Sequence, residues 1–323
     1  MNKRRRLLFV ATLSIIILFG IAWLTFARRG TEFSPPGELV LKRHFGTYQL
    51  NIYRQNEQTL FEKFCSKLPS GLASLCERIH GDKPVAGYEI LKHGQRVQSE
   101  YGFNFGVAEI DGEGEAVGRD ITGDGTSKLA ITDQLGRQGG GELWLFECGK
   151  QFRLMANVKS LGNFPKLKDL DGDGIPELTV SDDAFYHWPV CRDGEPMPEV
   201  ILRWRNSKYV AAKSLMFKPA PPPDEIKTLA AQIQSSPEWD RNSGAVPKAL
   251  WTNAMALIYS GHEVLAWKFV EAAWKPGFPS GGDSSKEDII GYFLRGKLNE
   301  SVYWPDLNEN SFTNSIGQML GNK

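Results

Sequence analysis

Two stretches of the chain, Asp120 to Leu161 and Asp169 to Phe217, run through the same parts in the same order. Each opens with an Asp/Gly loop and continues into a short apolar strand, LAITD or ELTVSD. A variable loop then leads to a longer strand, ELWLFEC or EVILRWR, followed by a tight turn at Gly149-Lys150 or Asn206-Ser207. Both close with a strand that opens on an aromatic, Phe152 or Tyr209, and the second copy differs mainly by a longer variable loop, DDAFYHWPVCRDGEPM. A repeat of this kind constrains the fold strongly, because two copies of one supersecondary unit pack as neighbours and share a core.

The rest of the chain frames that repeat. From residue 38 to 217 the pattern is mostly short strands, adding ELVL, YQLNIY and YEILKHGQRVQS with a turn at His93-Gly94, and ending with KYVAAKSL read as strand. One helical insertion, 57–79, interrupts this β-rich domain, whose two repeat units span 118–161 and 167–217. The tract Pro219-Ala220-Pro221-Pro222-Pro223 breaks regular structure, and 218–323 reads as helical. In it VPKALWTNAMALIYSG and HEVLAWKFVEAAWKPG form an αα-hairpin, with further helices expected at Asp224 to Gln234 and Ser285 to Leu298. The expected fold class is α+β, a β-rich repeat region followed by a helical segment.

The loop DLDGDGIPEL places Asp169, Asp171 and Asp173 at alternate positions one, three and five. Ile175 offers a carbonyl at seven and Glu177 stands at nine, while Gly172 and Gly174 allow the backbone angles that turn these oxygens inward. Three carboxylates this close repel one another, so a divalent cation is their natural partner, and hard oxygen ligands without His or Cys favour Ca2+. The other copy, DITGDGTSKL, keeps Asp120 and Asp124 but has Thr122 at position three, Thr126 at seven and Lys128 at nine. A positive charge where a ligand should stand makes Asp120, Thr122, Asp124 and Thr126 a weaker metal set. The competing reading of both loops is an Asp/Gly turn closed by Asx hydrogen bonds without metal, which fits the first copy nearly as well.

An EF-hand is excluded because Val180 occupies position twelve and the flank reads as strand. The D-x-D-G-D-G-x-x-D/E loop running directly into a strand instead resembles the FG-GAP or VCBS type of repeat, over Gly118 to Phe217. That resemblance implies blades of the β-propeller kind and makes Asp169, Asp171, Asp173, Ile175 and Glu177 calcium ligands, with Glu177 in place of the commoner Asp. Two recognisable units are too few for a complete propeller, which takes four or more blades.

At the N-terminus, Lys3, Arg4, Arg5 and Arg6 form a basic tail (1–6) ahead of an uncharged run from Leu7 to Ala27. A helix of that length spans about 30 Å, the thickness of a bilayer's hydrocarbon. The charge bias keeps residues 1–6 in the cytoplasm, makes 7–27 a transmembrane signal anchor and exports everything after the 28–37 linker, to the periplasm in a bacterial cell. A cleavable signal peptide ending at Thr25-Phe26-Ala27, and hence a secreted protein, is the alternative. Export puts Cys65, Cys76, Cys148 and Cys191 in a compartment that permits disulfides. Pro69-Ser70-Gly71 can turn the chain so that Cys65 meets Cys76, which leaves Cys148 and Cys191 as the second pair; four small buried thiols are the other reading.

With 38 basic and 38 acidic residues the chain has no polyelectrolyte character, which argues against a nucleic-acid partner. Its partners are instead the membrane, through the N-terminal helix, and an envelope protein or glycan. Trp239, Trp251, Trp267, Trp274 and Trp304 supply either a binding surface or the filling between helices and sheet. There is no G-x-S-x-G, no H-E-x-x-H and no phosphate loop. The functional expectation is an anchored, extracytoplasmic calcium-binding module that works by binding. An envelope hydrolase using Asp182, Asp183 and His187 on the 182–197 loop is one alternative, and a structural component of an envelope complex is the other.

Overall fold

A computed structural model describes residues 33–55, 85–112, 114–135, 140–186, 188, 197–240, 245–278, 286, 290–291 and 293–307. In chain order the strands are β1 (Glu38–Phe45), β2 (Tyr48–Arg54), β3 (Ala86–Lys92), β4 (Gln95–Gly102), β5 (Phe105–Val107), β6 (Glu109–Ile110), β7 (Gly114–Glu115) and β8 (Val117–Arg119). They continue as β9 (Lys128–Leu135), β10 (Gly140–Cys148), β11 (Phe152–Ser160), β12 (Lys166–Lys168), β13 (Glu177–Ser181), β14 (Glu199–Arg205) and β15 (Lys208–Ala211). They build three sheets, none of them closed: β1-β2-β3-β4, β11-β10-β9-β5 with β8 also on β9, and β15-β14-β13-β12-β6-β7.

The internal repeat corresponds to two antiparallel meanders, β8 to β11 and β12 to β15, with one Asp/Gly loop between the first two strands of each. A third meander, β1 to β4, precedes them without such a loop. The His93-Gly94 turn has positive φ at both residues (50° and 78°), the primed geometry that matches strand twist in a two-residue hairpin. Asn206 and Ser207 (50° and 62°) do the same between β14 and β15.

Alternation along the strands explains the stacking. In β9, Leu129 and Ile131 join Leu50, Ile52, Tyr88 and Ile90 of the first sheet, while Ala130 faces the opposite way, into the cluster with Val180, Val200 and Leu202 of the third. In β10, Phe146 and Cys148 point to the first sheet, and Leu143 and Leu145 to the third. The middle sheet is thus buried on both faces, which is why its strands read as nearly continuous apolar runs.

Helices cover the far side of the third sheet: α1 (Lys213–Met216), α2 (Pro223–Gln234), α3 (Lys248–Tyr259) and α4 (Glu263–Ala273), then a π-helical turn Phe293–Leu298 and α5 (Trp304–Leu307). Pro223 begins α2, where its missing N–H costs nothing, and Asp224 and Glu225 follow in the first turn, favourable to the helix dipole. α3 and α4 are the expected αα-hairpin, turning at Gly261, whose φ of +87° closes the first helix. All five C-terminal tryptophans are buried, with Trp239 and Trp274 packed edge to face. They therefore fill the core; burying one such side chain contributes about 1.5–3 kcal/mol or more.

Two sequence expectations need correction or placing. KYVAAKSL is not one strand: β15 ends at Ala211 and Lys213–Met216 turns as helix, with Met216 buried. Of the four cysteines, Cys148 carries a free thiol, buried and pushed up to about 12 by that burial. Cys65, Cys76 and Cys191, the helical insertion 57–79 and the run from Leu7 to Ala27 lie outside the described residues. Among the described residues no helix is long and apolar enough to cross a membrane.

Candidate metal centre

The two Asp/Gly loops lie side by side. At Gly123 an added Cβ would meet the tip of the Ile175 side chain at 2.4 Å, and the residue holds φ at +75°, a conformation that favours glycine.

In the second loop each aspartate closes the turn it belongs to. Asp169 accepts from the Gly172 amide (2.8 Å, Oδ1) and the Gly174 amide (2.9 Å, Oδ2). Asp171 accepts from the Asp173 amide at 3.3 Å, and Asp173 from the Ile175 amide at 2.8 Å. Glu177, at the start of β13, is buried and accepts from the Leu170 amide at 3.0 Å. One oxygen each of Asp169, Asp171 and Glu177 lies within 4.8 Å of the other two, a spacing that can hold a metal ion. Asp173, expected with them, does not join this group, because its carboxylate is turned onto the Ile175 amide. The Ile175 side chain is directed at the neighbouring loop.

Arg203 on β14 was invisible to the motif and dominates the electrostatics. Its Nε donates to Glu177 Oε1 at 3.0 Å, and its Nη2 donates to Asp171 Oδ2. Those two carboxylates push the guanidinium further up, Glu177 most. The register that pairs Leu178 with Leu202 carries Glu177 and Arg203 to the same level of adjacent strands.

The first loop solves the same problem with a side chain. Asp120 accepts from the amides of Thr122 (3.0 Å), Gly123 (2.8 Å) and Gly125 (2.6 Å). Lys128, fully buried, donates from Nζ to Asp124 Oδ1 (2.5 Å), to the Thr126 carbonyl (3.1 Å) and to the Thr126 hydroxyl. Burial would raise the Asp124 carboxyl, but Lys128 and Thr126 hold it well below the usual carboxylate range. The ammonium therefore sits on the oxygens of positions five and seven. Of the weaker set, Asp124 and Thr126 lie on Lys128, while Asp120 is turned onto the loop amides, and an added ion would have to displace the ammonium. The i,i+4 spacing of Asp124 and Lys128 was the available signal.

One residue pair recurs at the far end of the two equivalent strands. Asp133 closes β9's apolar run and Asp182 follows β13; both are buried, and desolvation raises both carboxyls against their hydrogen bonds. Asp133 accepts from the amides of Phe103 (3.1 Å) and Asn104 (2.5 Å), fastening the passage from the first sheet to the second. Asp182 accepts from the Ala184 amide (3.1 Å), the Tyr259 hydroxyl (2.5 Å) and the Ser301 hydroxyl, fastening the helices to the third sheet. Asp183 accepts from the Leu161 amide at 2.7 Å, and burial raises it too. Of the three hydrolase candidates, Asp182 and Asp183 both border a cavity, Asp182 with its carboxylate committed to Tyr259 and Ser301, and His187 lies outside the described residues.

Comparison of the chain with protein families, with curated proteins and with solved structures finds no match.

Proposed function

We propose that this is a membrane-anchored, extracytoplasmic protein of the FG-GAP/VCBS kind, whose stacked meanders are blade-like units and which acts by binding a protein or glycan. In this reading the second Asp/Gly loop takes up a calcium ion through Asp169, Asp171 and Glu177, with Asp173 and the Ile175 carbonyl completing the set after the loop tightens. Arg203 gives up Asp171 and stays on Glu177 as an outer partner.

The observation that carries the calcium part is the convergence of three carboxylate oxygens within 4.8 Å at a loop that leads straight into a strand. Metal-free Asx turns have no need of a buried glutamate aimed back into the loop. The export part rests on the basic tail and the uncharged run behind it.

The test is a thermal melt of the full chain in detergent with calcium, magnesium or chelator, together with calorimetric titration. Calcium at about a hundredfold excess over its Kd stabilises by about 2.7 kcal/mol, which raises Tm by about 5 °C or more. A melt that ignores calcium, with no heat on titration, removes the metal from this reading.

A further inference from the structure

The chain enters the fold across the outer side of the first sheet, the face turned away from the middle sheet. Phe33 is buried there, its ring 4.9 Å from that of Tyr101 on β4 and 6.4 Å from that of Tyr53 on β2. Arg96 donates to the Phe33 carbonyl at 3.2 Å. The Tyr101 hydroxyl accepts from the Ser34 amide (3.0 Å) and donates to the Ser34 carbonyl (3.1 Å). Phe33 and Pro36 rest on Gly87 of β3, where an added Cβ would meet them at 3.1 and 2.8 Å. The entry is therefore fastened to three of the four strands.

Five residues, Arg28 to Glu32, separate Phe33 from the end of the apolar run at Ala27. The six Cα steps between Ala27 and Phe33 cover at most about 20–22 Å. The headgroup layer on one side of a bilayer takes about 5–8 Å of that length. A run held in the bilayer keeps Phe33 within about 15 Å of the headgroup surface, and the sheet it is fastened to follows it.

The same corner leaves apolar side chains uncovered. Leu39, Tyr53, Gly87 and Tyr101 form one row across β1 to β4, with Leu39 and Tyr101 at its two ends. Val40 stands next to Leu39, and Phe103 follows just beyond the end of β4. Leu39, Val40, Tyr101 and Phe103 are each between 37% and 49% exposed. Large apolar groups gathered in one place mark an interaction surface, and aromatic side chains with a polar tip suit the headgroup level of a membrane. The Asp/Gly loops begin at the other end of the sheet. An added Cβ at Gly118, two residues before Asp120, would lie 3.2 Å from Phe45, and Phe45 is six residues, about 20 Å, along β1 from Leu39.

We infer that this corner of the first sheet, with Leu39, Val40, Tyr101 and Phe103, rests on the headgroups of the membrane that holds the anchor. The inference rests on the reading of 7–27 as an uncleaved anchor and adds which surface of the protein meets lipid. The short connection brings the corner to the bilayer, and its exposed side chains make the contact. The Asp/Gly loops, at the opposite end of the strands, stay clear of it.

The experiment places the full chain in phosphatidylcholine vesicles, with and without bromine on the upper acyl chains, and reads tryptophan fluorescence. Trp23 lies inside the apolar run, so the unsubstituted chain loses emission in brominated vesicles, and Trp23→Phe abolishes that loss. Val40→Trp and Phe103→Trp each add emission that brominated lipid quenches, at unchanged Tm. Leu154→Trp, at an equally exposed apolar position on β11 of the middle sheet, adds emission that it does not quench. The inference is overturned if emission added at 40 and 103 is quenched no more than emission added at 154 while Trp23 is quenched, the result also expected if a second copy of the chain covers the corner. Absence of quenching at Trp23 overturns the anchor reading itself, and this inference with it.

Discussion

The first and second Asp/Gly loops share a frame and differ in where their positive charge comes from. Loop one carries its own: the Lys128 ammonium lies on Asp124 and Thr126, sealed from solvent. Loop two has Glu177 at the equivalent position, and its charge arrives from another strand, as Arg203 on Asp171 and Glu177. In both loops the cation is the protein's own, and the residue at position nine decides whether it comes from within the loop, as Lys128, or from a neighbouring strand, as Arg203.

The largest effect should come from removing the cation of loop one. Lys128→Ala leaves Asp124 facing an emptied pocket and destabilises by about 2 kcal/mol, less than the 3–5 of a wholly buried pair because Asp124 is 41% exposed. Urea unfolding measures it, and a loss under about 0.5 kcal/mol would mean that the ammonium is merely accommodated.

Next in size, Asp120→Ala and Asp169→Ala each strip backbone amides of an acceptor and lose about 1–2 kcal/mol in the absence of calcium. They part company on adding the ion: the calcium-induced rise in Tm survives Asp120→Ala and vanishes in Asp169→Ala. Equal calcium responses in both variants would erase the distinction between the loops.

The smallest effect concerns the buried acids at the strand ends. Asp182 titrates higher folded than unfolded, so the folded state holds its proton more tightly. Its contribution is intact below the unfolded value of about 3.9 and is lost as pH rises through the raised value. Asp182→Asn should flatten that stretch of the stability profile, measured by urea unfolding at about pH 4 and about pH 8. An unaltered slope would show that the hydrogen bonds of Tyr259 and Ser301 offset the desolvation.

Much of this was legible in advance, for local reasons. The apolar residues of YQLNIY and ELWLFEC give buried strands, ELVL forms the edge strand β1 with Leu39 and Val40 exposed, and the spacing of Leu250, Trp251, Ala254, Leu257 and Ile258 gives a helix face. The strands β5 to β8 and β12 were not legible, because two or three residues carry no periodicity and pair only when a neighbouring sheet presents an edge. KSL of KYVAAKSL read as a continuation of the YVA strand and is helical instead, with Met216 buried in the cluster shared with the C-terminal helices.

Sequence alone determined what is set within a few residues: the Asx turns of 120–126 and 169–175, the i,i+4 meeting of Asp124 and Lys128, and the repeat order of strand and loop. Tertiary structure decided which distant groups share a dielectric. Arg203 reaches Glu177 across 26 positions, Tyr259 reaches Asp182 across 77, and the cavity beside Tyr209 exists only where two meanders and the C-terminal segment meet. Strand register and sheet stacking set those distances, and neither is encoded in the spacing of any one segment.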